Sequence, residues 1–229
     1  MADETTEMFS TIARRYDLLN RILSWGLDEK WRRQTAEAAC PRDGSRILDI
    51  CTGTAGLALS FFNTQPRCRI TGIDLSSAML DLGNAKINAN RGRPDIFLGR
   101  GNALDLPFED SSFDITATAF GFRNIPDRSR GLREMRRVTK KGGRILILEF
   151  SPPQNNLFSA PVRFYISRIV PLIGGWMSRS AEAYAYLASS IISFLSPQQV
   201  CSMMREAALI EVTTRYLGAG AHLYAAVKP

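Results

Sequence analysis

A single histidine, His222, occurs in 229 residues. That scarcity all but removes a histidine-rich metal centre and a serine–histidine triad. Cysteine is sparse too: Cys40, Cys51, Cys68 and Cys201 stand far apart, with none of the paired spacings of a zinc site or a disulfide framework. These absences predict a reducing, cytoplasmic setting and no bound metal. No apolar run reaches membrane-spanning length, and no signal peptide is recognisable. Internal repeats and low-complexity tracts are missing as well. Basic residues exceed acidic ones, 29 against 22, for a net charge of +7. No ladder of interleaved aromatic and basic residues accompanies the excess, so nucleic acid is a poor partner. Solvated faces, or transient contact with an anionic membrane surface, account for the charge better.

The length suits one domain with a substantial core. Its organising stretch is Arg46 to Gly56, Arg-Ile-Leu-Asp-Ile-Cys-Thr-Gly-Thr-Ala-Gly. An apolar run ending near Asp49 reads as a buried parallel strand. The small residues after it let a turn pass close to something bound, and Leu57 to Phe62 continue as a helix. Strand, small-residue turn and helix open a doubly wound sheet, whose ligands lie at the strands' carboxyl ends. The full Gly-x-Gly-x-x-Gly spacing is absent, and no Lys follows to make a phosphate loop. A pyrophosphate or ATP site is therefore disfavoured.

A second strand, Ile70 to Asp74, ends in an acid about 20 residues past Gly53, where a carboxylate grips a ribose diol. A third, Ile96 to Leu98, leads to Gly101-Asn102-Ala103, which sets an amide near an adenine edge. Two acids, Asp49 and Asp74, and the amide of Asn102 at three strand ends suggest a nucleoside without phosphates. S-adenosylmethionine is such a ligand.

Before the first strand, Met8, Phe9, Ile12, Tyr16, Leu19 and Leu23 form the stripe of an amphipathic helix. Asp28 is placed to cap the next helix, whose apolar face carries Trp31, Ala36 and Ala39. Ser76 caps a helix with Met79, Leu80, Leu82 and Ile87 facing inward. A fourth strand, Asp114 to Ala119, delivers Phe120-Gly-Phe-Arg-Asn124 to the ligand edge. Asp127 or Ser129 starts a helix that Gly142 ends, and Arg144 to Phe150 is the next strand. From Phe158 to Met177 the chain is apolar with Arg163 and Arg168 interspersed, a buried helix or an interfacial lid. A helix over Ala183 to Phe194 and one led by Pro197 follow. Glu211 to Leu217 and His222 to Val227 then form an antiparallel pair.

Two stretches carry a family resemblance: Tyr16-Asp-Leu-Leu-Asn20 with Ser24, Gly26 and Trp31, and Arg137 to Ser151, Arg-Val-Thr-Lys-Lys-Gly-Gly-Arg-Ile-Leu-Ile-Leu-Glu-Phe-Ser. Together with Phe120 to Asn124, they make the whole chain resemble the C-methyltransferases of ubiquinone and menaquinone biosynthesis. Three positions depart: Asp28 stands where the family usually has His, Lys141 where it has Pro, and Gly56 where it has Asp.

The resemblance implies an α/β fold of the class I S-adenosylmethionine-dependent methyltransferases, Rossmann-like, seven-stranded with the last strand antiparallel. It implies one domain over 1–229, with a helical cap at 1–41 and a helical lid or substrate insertion at 152–196. It implies contacts to S-adenosylmethionine from Thr54, Asp74, Asn102 and Ala103, beside Asp49 and Gly53. The substrate it implies is a prenylated quinol, most simply demethylmenaquinol. Arg123 is expected to stabilise its deprotonated ring while water held with Asn124 takes the proton, and Tyr16, Tyr184 and Tyr186 are expected to line the ring pocket or face the cationic sulfonium. A methyltransferase acting at oxygen or nitrogen of another hydrophobic acceptor, and a non-catalytic subunit that binds the methyl donor, are the competing readings.

Overall fold

The computed structural model describes residues 17–18, 20–21, 24–92, 94–152 and 181–229, with the backbone alone for 181–185 and 187. Most of the stripe from Met8 to Leu23, the segment Phe158 to Met177, Tyr16 and the Tyr184 side chain therefore lie outside the described residues.

The elements run α1 (Leu27–Ala39), β1 (Arg46–Ile50), α2 (Gly56–Thr64), β2 (Arg69–Asp74), α3 (Ser77–Ala89), β3 (Ile96–Arg100), β4 (Phe113–Ala119), a short 3₁₀ turn (Phe122–Asn124), α4 (Arg128–Val138), β5 (Thr139–Phe150), α5 (Ala181–Ile192), α6 (Pro197–Glu206), β6 (Ile210–Gly218) and β7 (Ala221–Val227). Strand and helix alternate through β3, β4 follows β3 without a helix, and crossover helices of this kind return the chain to lay strands parallel. The result is one seven-stranded sheet in the order β3-β2-β1-β4-β5-β7-β6. β1 to β5 pair in parallel, and β7 runs antiparallel to both its neighbours. This is the architecture expected from the sequence.

Central parallel strands are covered on both faces, which explains why β1 is apolar almost throughout. Leu48 and Ile50 pack into a cluster with Leu132, Met135, Val138, Val200 and Met204 from α4 and α6. Ile47 faces the other layer with Ala36, Ala58, Phe61 and Leu80 from α1, α2 and α3. Each large apolar side chain so covered contributes about 1.5–3 kcal/mol. Local signals fix the helix starts. Ser76 and Asp127 accept from Met79 N and Arg130 N, and α6 opens on a Ser196–Gln199 capping box with Pro197 in its first turn.

Some expected boundaries move. α1 is capped by Gly26, so Asp28 lies inside the first turn rather than at the cap. α4 ends at Val138, and Gly142 falls within β5, which begins at Thr139 rather than Arg144. The cause is pairing at a distance: Thr139 sits opposite Phe113, Gly142 N donates to Lys228 O at 2.8 Å, and Lys228 N donates to Gly143 O at 3.0 Å. Leu82 is half-buried while Met79, Leu80 and Ile87 are buried.

Parallel pairing puts the carboxyl ends of β1 to β5 on one edge. Since β7 runs the other way, its first residues join that edge, with His222 opposite Glu149 and Ala221 opposite Phe150.

Candidate active site

The turn after β1 is strung between two carboxylates. Asp49 Oδ2 accepts from Thr52 Oγ1 at 2.6 Å and from Ala58 N at 3.1 Å, fastening the turn to the first turn of α2. Asp74, at the end of β2, accepts from Gly53 N through Oδ2 and from Ser76 N through Oδ1, each at 2.9 Å. Thr52 N donates to Ile73 O, so backbone pairing reinforces the link between the strands. Gly53 adopts φ +54, and a Cβ there would meet no protein atom within 4 Å. The turn thus presents a bare, left-handed backbone to open space, which is what a closely approaching ligand requires.

Burial governs both acids. Asp49 is fully buried and its carboxyl is pushed up to about 7, against the pull of the Thr52 and Ala58 bonds and of the Arg32 charge. Its Oδ1 has no hydrogen-bond partner. Asp49 therefore shapes the turn from behind, while Asp74, half-buried, faces the edge. Burial also raises the Asp74 carboxyl above its ordinary range, although backbone N–H groups oppose it.

At the end of β3, Gly101 N donates to Asp74 O at 3.1 Å, which brings Asn102 and Ala103 alongside the second acid. Asn102 is exposed; its Oδ1 accepts from Leu104 N, leaving the amide N–H groups to donate outward. Ala103 is buried beneath it. Thr54 is also buried, and its hydroxyl donates to Asp17 Oδ1 at 2.6 Å. Lys86 pairs with the same aspartate and donates to Thr54 O at 3.2 Å. Asp17 is thereby clasped onto the turn. Asp17 lies within the Tyr16 to Asn20 motif but was given no role by the sequence, and nothing local marks Lys86.

The expected acceptor residues meet at the ends of β4 and β5. Arg123 is 5% exposed rather than free. Its guanidinium donates to Glu149 Oε1 at 2.7 Å, to Phe120 O at 2.6 Å and to Ser190 Oγ on α5 at 3.3 Å. Its backbone N–H donates to Glu149 Oε2 at 3.0 Å. The cation read from the sequence is thus already neutralised by a carboxylate that is itself 0% exposed. Asn124, beside it, accepts from the Tyr186 hydroxyl at 3.2 Å, so two of the predicted residues are brought together. Glu149 was missed. Its signal was an acid in the otherwise apolar run Ile145 to Phe150.

Aromatic rings pack the same edge. Phe120 stacks on Phe150 at 4.8 Å, Trp31 packs against both, and Trp31 Nε1 donates to Leu217 O at 3.1 Å. Arg32 lies over the Phe120 ring at 5.5 Å. Two departures from the family pattern meet at this arginine. A Cβ on Gly56 would stand 3.0 Å from Arg32 Nε, and Asp28 pairs with Arg32 at 2.5 Å. A cavity of about 750 Å³ opens on this outer side of the turn, among Asp17, Arg21, Asp28, Arg32, Gly56 and Lys86. None of Asp49, Asp74, Asn102 or Asn124 lines it.

The chain is similar to known proteins along almost its whole length. The model of the ubiE/COQ5 methyltransferase family matches residues 2–228. A demethylmenaquinone methyltransferase of Deinococcus radiodurans is 45% identical over 199 residues, spanning 87% of this chain and 82% of the relative. A ubiquinone/menaquinone biosynthesis C-methyltransferase of Geotalea daltonii is 45% identical over 203 residues, spanning 88% and 86%. Among solved structures, phosphoethanolamine N-methyltransferase 2 of Haemonchus contortus, in complex with S-adenosyl-L-methionine, aligns with a TM-score of 0.64 at 16% identity. That alignment covers 86% of this chain and 52% of the other, a likeness of fold.

Proposed function

This chain belongs to the ubiE/COQ5 methyltransferase family, and from that premise we propose that it methylates a ring carbon of a prenylated quinol, converting demethylmenaquinol to menaquinol with S-adenosylmethionine. The observation that carries the reading is Asp74. It is a half-buried carboxylate at the end of β2, fixed by Gly53 N and Ser76 N beside an open left-handed turn.

The residues fit the donor. Each Asp74 oxygen accepts one backbone bond and keeps capacity for a ribose hydroxyl. Asn102 presents amide donors to the adenine edge, and Gly53 lets the backbone approach without a side chain. Among the described residues no lysine follows the turn as a phosphate loop requires, in keeping with a nucleoside that carries no phosphates. When bound, S-adenosylmethionine supplies the methyl group as an electrophile.

What the protein adds is alignment. Holding two reactants in line supplies about 7–11 kcal/mol of a barrier. The acceptor carbon becomes nucleophilic when a ring hydroxyl loses its proton. A phenol-like group titrates near ~10, so ionising it at neutrality takes about 4 kcal/mol. Arg123 brings an ion pair rather than a net positive charge to this task. The polar groups that meet the ring oxygen in this reading are the Asn124 amide and the Tyr186 hydroxyl. The proton leaves to water beside Asn124. Tyr16 and Tyr184 keep their proposed places along the ring.

A prenyl tail gains about 0.8 kcal/mol per buried methylene, which holds the acceptor in the bilayer and brings the enzyme to its surface. The net charge of +7 and Trp25, 83% exposed in the turn before α1, support transient docking on an anionic membrane. Among the described residues no helix is long and apolar enough to cross a membrane.

The test is an assay with the methyl donor and, in parallel, reduced demethylmenaquinone, a demethylated benzoquinol and simple phenols. One methyl gained on a ring carbon of the first is the expected result. Methylation at phenol oxygen, or no heat with the donor in calorimetry, overturns the proposal.

A further inference from the structure

Glu149 is 0% exposed and sits in the last turn of pairing of β5, opposite His222 of β7. Removing a carboxylate and a guanidinium from water costs several kcal/mol per ion, and such a pair is weak evidence for stability by itself. What the pair does geometrically is more informative. Oε1 accepts from Arg123 Nη1 at 2.7 Å and from Phe150 N at 2.9 Å, and Oε2 accepts from Arg123 N at 3.0 Å. One carboxylate therefore fixes both the backbone and the side chain of Arg123.

Arg123 passes that constraint on. Its guanidinium reaches Phe120 O, the residue where the chain leaves β4 at φ +59, and Ser190 on α5. The next residue, Asn124, accepts from Tyr186. Tyr186 and Ser190 are four apart on α5, so they share a face of that helix. Both of those contacts from α5 end on the Phe122–Asn124 turn.

We propose that Glu149 is a positioning residue for methyl transfer: through Arg123 it sets where the Asn124 amide stands and how α5 is fastened over the acceptor side of the edge. The donor side, built on Asp49, Asp74 and the Gly53 turn, is held by other contacts and does not depend on it. The inference rests on the quinol-methylation reading for its kinetic consequences, while its structural consequence is independent of any acceptor.

The experiment compares Glu149→Gln, Glu149→Asp, Tyr186→Phe and Ser190→Ala with the parent protein, using three readouts. These are donor affinity by calorimetry, kcat and KM for reduced demethylmenaquinone, and amide hydrogen exchange over residues 122–124 and 181–192. Tyr186→Phe removes a neutral hydrogen bond and Ser190→Ala the bond from the Arg123 guanidinium, so acceptor KM rises about fivefold and exchange in α5 quickens by a similar factor. Glu149→Asp lowers kcat further, and donor affinity stays within twofold in all three. Glu149→Gln adds the loss of charge to the same pattern.

Donor affinity falling in step with acceptor KM assigns Glu149 a merely structural role and overturns the proposal. Parental kinetics and parental exchange in Glu149→Asp overturn it as well. If Glu149→Gln does not fold, the other three variants decide between these outcomes. Should the parent protein fail to turn over the quinol, the functional reading falls, yet exchange across α5 still tests the coupling.

Discussion

At the ends of β1 and β2 the polar contacts join carboxylates mainly to backbone amides, over separations of 9 residues from Asp49 to Ala58 and 21 from Gly53 to Asp74. At the ends of β4 and β5 they join side chains to one another, over 26 residues from Arg123 to Glu149, 62 from Asn124 to Tyr186 and 67 from Arg123 to Ser190. The donor half is made of a turn. The acceptor half is made of a packed interior. A turn that recognises an invariant nucleoside needs little beyond main-chain shape and one acid. A site for a variable hydrophobic ring needs walls from several elements, and these are locked only when the sheet and helices have assembled.

Breaking the buried pair should have the largest effect. Glu149→Leu leaves Arg123 charged and without its counter-ion, and is expected to cost about 3–5 kcal/mol in urea unfolding. Adding Arg123→Met should return part of that loss, since it removes the buried charge while the backbone N–H groups of residues 123 and 150 still lack the carboxylate. If the single variant unfolds like the parent, the acceptor half is not locked by this pair and the contrast fails.

Asp74→Asn comes next. Replacing a charged acceptor that bonds hydroxyls should weaken the methyl donor by about 1.5–3 kcal/mol, roughly 10- to 150-fold, in calorimetry. Stability should move less, because the amide still accepts through one oxygen. A rise in acceptor KM of the same size would show the two halves to be one unit.

Gly53→Ala is the smallest change. Its Cβ meets no protein atom, so the cost to the protein is the left-handed backbone alone, about 1–2 kcal/mol in unfolding. Donor affinity should drop beyond that, since the new methyl enters the space kept bare by glycine. An undiminished affinity would mean that the ligand does not approach this turn.

The donor half was legible because its signals are local. The apolar run before Asp49, the small residues Gly53 to Gly56 and the acid at Asp74 lie within one strand–turn–helix–strand unit, where spacing along the chain translates directly into spacing in the fold. The cap at Ser76 and the helix led by Pro197 were readable for the same reason. The acceptor half was half legible. Phe120 to Asn124 could be placed at a strand end, and Tyr186 on a helix, but the sequence offered no way to see that Arg123 would be paired. Nor did it show that Asp28 would turn from a capping place toward Arg32, beside Gly56. The early start of β5 escaped notice because its partners, Phe113 and Lys228, arrive from 26 residues before it and from the end of the chain.

By itself the sequence determined most of the order of strands and helices, the edge formed by the strands' carboxyl ends and the acid that closes β2, because each follows from hydrophobic period and turn chemistry within a few dozen residues. Only the tertiary structure decided the charge state of the acceptor edge. Whether an arginine is a free cation or half of a neutral pair depends on which carboxylate the folded sheet carries beside it, and in the dry interior that neighbour, here Glu149, outweighs anything the local pattern specifies.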